Sequence, residues 1–262
     1  MNNPSILISN DDGIYSDGIY ALWEAMSKIG KTTVVAPNTE KSAVGHAITL
    51  SDPIRIQKVK RANGFEGFAV HGTPADSVKI AVKAIMDSKP DLIISGINAG
   101  ANVGQSLLYS GTISAATEGT FLGIPSIAIS LDAYKKYDFS GAKIVATKIV
   151  NAVLQHGLSK GTLLNVNVPN IKEGDYSGYK ITKQGAIYFK DHFEKREDPH
   201  GRQYYWMTGV IENPDTDIQW DGYALKKGYV SITPLQLKMT NIEIIDELSE
   251  WDLNRVDYIK MG

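Results

Sequence analysis

Two aspartates stand side by side near the start of the chain, in the run ILISNDDG at residues 6–13. Adjacent carboxylates repel, and each raises the other's pKa unless a cation lies between them. A divalent metal is the economical cation, because magnesium and manganese take oxygen ligands from Asp, Asn, Ser and water. The same residue types also build turns, so residues 10–13 read either as a metal-binding loop or as a turn alone. A second stretch with chemical character is SGINAGANVGQSLLYSGTISAATEG at 95–119, with Gly96, Gly100, Gly104 and Gly111 interleaved with Asn98 and Asn102. Glycines let backbone N–H groups approach a ligand closely. Ser110, Gly111 and Thr112, at the start of a small-residue helix, offer hydroxyls and free amides to a phosphate. The loop at 37–45 adds Ser42 and Gly45, and His46 follows it. Asn10 either positions a ligand or hydrogen-bonds its own turn. His46 and His71 read as structural rather than as general acids. Tyr109 reads as a packing residue, and Glu118 as a solvated or supporting group.

These residues need elements to hold them. The apolar triplet Ile6, Leu7, Ile8 is a short buried strand. Ile19, Leu22, Met26 and Ile29 recur at helical spacing, and Gly30 stops that helix. Residues 32–36 (TTVVA) make a second strand, which completes a βα unit of the parallel type. Residues 48–69 hold alternating pieces broken at Asn63-Gly64, the pattern of a hairpin. Thr73, Pro74 and Asp76 are an N-cap, a first-turn proline and a capping-box acid, opening a helix with Val78, Ala81, Val82, Ile85 and Met86 on its apolar face. Strands follow at 91–95, 125–130 and 163–168, with a helix over 140–156.

The pattern changes after Pro169. Residues 179–185 and 229–235 read as strands. Between them lies a polar, aromatic stretch, 185–228, too long for an idle loop. It reads as a hairpin arm that buries its aromatics against a partner subunit. Thr240 and Glu243 form a capping box for a last helix with Ile244, Ile245 and Leu248 on one face. The predicted fold is α/β, a Rossmann-like three-layer domain with a mostly parallel sheet over 1–262, plus the C-terminal arm and helix.

Composition narrows the function. Lys and Arg number 27 against 29 Asp and Glu, with no basic block, which argues against a nucleic acid polymer or a charged membrane as partner. The absence of cysteine excludes thiolate metal sites and Cys nucleophiles, and fits a reducing compartment. No apolar run approaches the ~18 residues of a membrane span. The expected location is the cytoplasm.

The motifs together resemble the SurE family, the stationary-phase survival proteins, which are metal-dependent nucleotidases. The resemblance rests on ILISNDDG at 6–13, VVAPNTEKSAVGHAIT at 34–49, GTPADS at 72–77, the glycine-rich block at 95–119, LNVNVP at 164–169 and GYVSITPL at 228–235. DPHGRQYYW at 198–206 and the pair Thr216-Asp217 add to it. It covers nearly the whole chain in order. One departure is Ser77, where many relatives have Cys; it falls on a helix and touches nothing catalytic.

The resemblance implies one divalent metal per subunit, manganese or magnesium, held by Asp11, Asp12, Ser42 and Asn98. All four fall at or just past the carboxyl end of a predicted strand, where an open α/β sheet places its ligand crevice. It implies hydrolysis of nucleoside monophosphates to nucleoside and phosphate, at the 5′ or 3′ position, and in some relatives of polyphosphate. Asp11 and Asp12 are then the catalytic pair. Asn10, Gly45, Asn102, Ser110, Gly111 and Thr112 are the candidate phosphate and substrate contacts. A homodimer or homotetramer follows from the same resemblance. A haloacid-dehalogenase-like phosphatase is the rival enzyme, but that family separates its aspartates by one residue. A nucleotide-binding sensor without turnover is the rival outside catalysis.

Overall fold

The computed structural model describes residues 3–135, 137–172, 175–251 and 253. Strand β1 (Ser5–Ser9) is apolar on both faces because it is covered on both. It pairs in parallel with β2 (Lys31–Pro37) on one side and with β5 (Leu92–Ala99) on the other. On the β2 side, β4 (Glu66–Val70) pairs in parallel with β2, and β3 (Ile56–Lys60) lies antiparallel to β4. On the β5 side, β6 (Ser126–Asp132) and β7 (Thr162–Pro169) continue the parallel set. There β11 (Tyr229–Gln236) runs antiparallel to β7, and β8 (Gly178–Ile181) closes the edge parallel to β11. The sheet order is β3-β4-β2-β1-β5-β6-β7-β11-β8.

The strand period of two sorts side chains to two helical layers. Ile6 and Ile8 of β1 join a core with residues of α1 (Asp17–Met26) and α4 (Ser140–His156). Leu7, between them, faces the other way, into a core with residues of α2 (Pro74–Ile80) and α3 (Gly111–Phe121). Three layers result. The chain passes from β1 through α1 to β2, and later from α2 to β5 on the opposite side of β1. The winding therefore reverses at β1, and the carboxyl ends of β1 and β5 flank the crevice that such a reversal opens.

Helix starts follow the local chemistry. Thr73 and Asp76 form the reciprocal capping box expected of them, with Pro74 at the first position. Ser16 caps α1 by accepting the Ile19 N–H, and Ser110 caps α3 by accepting the Ile113 N–H at 3.1 Å.

Some boundaries differ from the sequence reading. β5 does not stop at residue 95; it continues through Ala99, with a register irregularity against β6 between Ser95 and Asn98. Gly96 permits this: it has φ +137°, and a Cβ there would lie 2.3 Å from the Ile129 carbonyl oxygen of the neighbouring strand. A glycine-rich segment that resembled a loop is thus partly sheet. Near the C-terminus, Thr240 forms no capping box. Asn241 takes the cap by accepting the Glu243 N–H at 3.1 Å, opening a 3-10 turn (Ile242–Ile244) and then α6 (Ile245–Ser249). Asn is as strong a cap as Thr and sits one residue later.

The aromatic stretch divides in two. β9 (Tyr188–Glu197) and β10 (Gln203–Glu212) form a separate antiparallel hairpin. Trp220 and Tyr223 instead belong to α5 (Asp221–Lys226) and its cap, at the end of the main sheet, with Ala224 and Leu225 buried. Among the described residues no helix is long and apolar enough to cross a membrane.

Candidate functional site

The turn after β1 is held from below. Asn10 is fully buried, and its amide donates to the Gly13 carbonyl at 3.0 Å and to Ser16 Oγ at 2.9 Å. It shapes the turn that presents Asp11 and Asp12, while its Oδ1 is buried without a protein partner. Arg61, from the β3–β4 connection, donates to the carbonyls of Ile14 and Ser16 at 3.2 and 3.0 Å and lies over the Tyr20 and Phe65 rings. Sequence reasoning missed Arg61, since nothing in a hairpin turn announces a contact 45 residues away.

Asp11 is buried, and burial pushes its carboxyl above the usual range although the Thr112 hydroxyl donates to Oδ1 at 2.5 Å. Asp12 is pushed up to about 6, first by burial and then by the Asp11 charge. Neither carboxylate forms an ion pair with Lys, Arg or His among the described residues. Glu40 adds further negative charge from the neighbouring loop.

Backbone hydrogen bonds bring the other candidates close. The Lys41 N–H donates to the Asp11 carbonyl at 2.8 Å, which sets Ser42 one residue from Asp11. Ser42 is exposed, with its hydroxyl donating to Glu40 Oε1 at 2.6 Å. The Ala99 N–H reaches Asp12 Oδ2 at 3.4 Å, which sets Asn98 one residue from that carboxylate. The Asn98 amide donates to the Gly100 carbonyl at 2.7 Å, which leaves its Oδ1 as the acceptor. The chemistry of these four donors fits a hard divalent ion: two carboxylates, one hydroxyl and one amide carbonyl. Among the described residues no three His, Cys, Asp or Glu side chains gather as a metal cluster, so an ion here depends on neutral oxygens as well.

Helix α3 points its N-terminus at the same place. Gly111 lies so close to Asp11 that a Cβ would sit 2.5 Å from the Asp11 Cβ. The positive end of the helix dipole favours negative charge there. Gly45 joins this edge through its N–H to the Tyr109 carbonyl, 3.1 Å. Ser110 serves as the α3 cap, and Thr112 is turned to Asp11.

Asn102 has another setting. Its amide donates to Ser130 Oγ at 2.8 Å, its N–H donates to Asn167 Oδ1 at 2.8 Å, and its carbonyl accepts from Asn165 and Asn167, each at 2.9 Å. This buried network anchors the glycine-rich loop on β6 and β7. Its signal was present in the sequence: two asparagines at i and i+2 in an apolar strand share one face and need partners. Asp221 was missed as well. It is fully buried and accepts the N–H groups of Gly104 at 3.0 Å and Gly185 at 2.9 Å, tying the same loop to the root of the hairpin.

One reading of a single residue is corrected: Tyr109 does not pack; it is 64% exposed. Of the two settings open to Glu118, solvated or supporting, the structure has the second: it is buried, with His46 Nε2 3.1 Å from Oε2 and Lys79 Nζ 2.7 Å from Oε1. His71 lies 3.4 Å from the Asn38 amide.

Comparison with known proteins gives the site a context. Residues 6–191 match the family model described as survival protein SurE. A protein of Syntrophobacter fumaroxidans named 5′-nucleotidase SurE is 46% identical over 248 residues, spanning 95% of this chain and 99% of its own length. Its namesake in Chlorobium phaeobacteroides is 44% identical, spanning 97% of this chain and 99% of its own. The crystal structure of the SurE protein from Aquifex aeolicus superposes with a TM-score of 0.83 at 40% identity, covering 94% of this chain and 98% of that one. With its β1 turn, its glycine-rich block and its sheet order all inside that likeness, the chain belongs to the SurE family.

Proposed function

We propose that this chain is a metal-dependent phosphomonoesterase that converts nucleoside monophosphates to nucleoside and phosphate; relatives named 5′-nucleotidase SurE support the nucleotidase part of that reading. The observation that carries the reading is the adjacent carboxylate pair, buried Asp11 and half-buried Asp12, both raised by burial and Asp12 also by the Asp11 charge, with no Lys, Arg or His paired to either among the described residues. Asp11, Asp12, Ser42 and Asn98 would hold one divalent ion per subunit, manganese or magnesium. When bound, such an ion polarises a phosphoryl oxygen and lowers the pKa of water.

The chain's own residues supply the rest. The Gly111 end of α3 sets a positive dipole beside the charge that develops on the phosphoryl oxygens. Asn10 and Arg61 fix the turn, so the carboxylates are oriented before substrate arrives. Asp11 is held by the Thr112 hydroxyl, whereas among the described residues the Asp12 carboxylate meets only the long Ala99 N–H contact. Asp12 is therefore the carboxylate with room to accept a proton from the attacking water. Stripped of metal, the chain should release no phosphate from a nucleoside monophosphate panel, and manganese or magnesium should restore release. Release that ignores metal would overturn the reading. Nucleotide binding without release at any metal concentration would mark a sensor.

We further propose that the hairpin 188–212 joins subunits into a dimer or tetramer. Phe193, Tyr205, Trp206, Met207, Val210 and Ile211 are each about 60% exposed on it, a large apolar surface for a free arm. Deleting residues 189–211 should lower the mass measured by light scattering; an unchanged mass would refute the arm's role. A cytoplasmic setting suits a chain without cysteines.

A further inference from the structure

We propose that His46 and the buried Glu118 fix the position of the loop 41–46, and through it the contribution of Ser42 to the metal site. The proposal rests on the reading of that site given above.

The loop is weakly held by its own composition. Ser42, Ala43, Val44 and His46 are exposed, and Ala43 adopts φ +56°, a left-handed conformation that costs a residue with a Cβ. The Ser42 hydroxyl bonds within the loop, to Glu40. Two backbone bonds fasten it, Lys41 N–H to Asp11 and Gly45 N–H to Tyr109. Among the described residues one side-chain hydrogen bond ties 41–46 to another element, and it is His46 to Glu118.

The partner is built to hold. Glu118 is 4% exposed on α3, the helix whose first residue abuts Asp11. A buried carboxylate needs a balancing charge, and Lys79 of α2 supplies it at 2.7 Å. Lys79 meets Glu118 Oε1, and Glu118 Oε2 meets His46 Nε2 at 3.1 Å. The His46 ring also stacks on Phe121, with centroids 5.5 Å apart and planes 20° from parallel. The ring is thus fixed by a hydrogen bond and by a stacking face, both from α3. The loop carrying Ser42 and the helix facing Asp11 are in this way referenced to one another. Groups that orient a metal ligand without touching the ion commonly cost about tenfold or more in metal affinity when removed.

The test is manganese binding by the metal-stripped full chain, measured by titration calorimetry beside thermal melting. His46→Ala should weaken manganese binding about tenfold while the melting midpoint moves little. Lys79→Met should do the reverse: it strips a buried carboxylate of its cation and lowers the melting midpoint, yet leaves manganese affinity within about twofold. On a Ser42→Ala background, His46→Ala should add almost no further loss, because contacts that act through one ligand are not additive. Unchanged manganese affinity in His46→Ala would overturn the proposal. So would a full further loss on the Ser42→Ala background, or an equal loss in Lys79→Met. A wild-type chain that binds no manganese would refute the metal site itself, and that result is seen before any variant is made.

Discussion

Asp11→Asn should abolish metal-dependent phosphate release, lowering kcat/KM by about three orders of magnitude, while leaving the fold intact. The size follows from the several kcal/mol that a bound ion contributes to transition-state charge, at about 1.4 kcal/mol per factor of ten. The fold should survive because Asn is isosteric and its Oδ1 still accepts from the Thr112 hydroxyl. Burial disfavours the ionised Asp11 carboxylate, so a neutral amide there relieves desolvation rather than adding to it. The melting midpoint of the metal-stripped variant should therefore equal or exceed that of the metal-stripped parent. A second consequence falls on Asp12, whose carboxyl is raised in part by the Asp11 charge. Metal-dependent release that persists in Asp11→Asn at saturating manganese would place the ion elsewhere.

Gly111→Ala should lower activity by about two orders of magnitude, even though alanine is the better helix former. Local propensity alone predicts a gain in α3, at most the roughly 0.5–1 kcal/mol of a helix interior because Gly111 is its first residue. The tertiary contact predicts the opposite, because the new methyl would lie 2.5 Å from the Asp11 Cβ and 2.9 Å from its Oδ2. Asp11 or the helix must shift, and a misplacement of about 1 Å in a reacting constellation costs on the order of a hundredfold. Circular dichroism should show the helix content unchanged. A variant with parental kcat/KM would mean that Asp11 and α3 need not keep this approach during turnover.

Much of the fold was legible because its elements carry local signals. Thr73, Pro74 and Asp76 announce α2 by capping chemistry that needs no tertiary contact. The apolar triplet of β1 announces a strand covered on both faces. Asp11 and Asp12 were legible as a chemical oddity, since two carboxylates adjacent in sequence repel each other unless a cation balances them. Ser42 and Asn98 stood out as polar residues at strand exits, but the metal role proposed for them came only through family resemblance, because nothing local distinguishes a serine or asparagine that would face a metal from one that faces water. Glu118 was left open between a solvated and a supporting role for a related reason. A glutamate among small residues looks solvated, and only the arrival of Lys79 and His46 from other elements makes its burial tolerable. Tyr109 erred in the other direction, since an aromatic beside an apolar run looks like core.

By itself the sequence determined the layer type, the parallel βα rhythm, most helix starts and the carboxylate pair, all properties of residues within a few positions of one another. The tertiary structure alone decided where β5 ends, since that depends on the Ile129 backbone lying against Gly96. It alone set Arg61 under the turn, Asn165 and Asn167 beneath Asn102, and Asp221 between the glycine-rich loop and the hairpin root. These bonds join residues 36 to 117 positions apart. A polar side chain satisfies whichever backbone group the packed sheet and helices bring to it, so its partner is fixed only once the layers have closed.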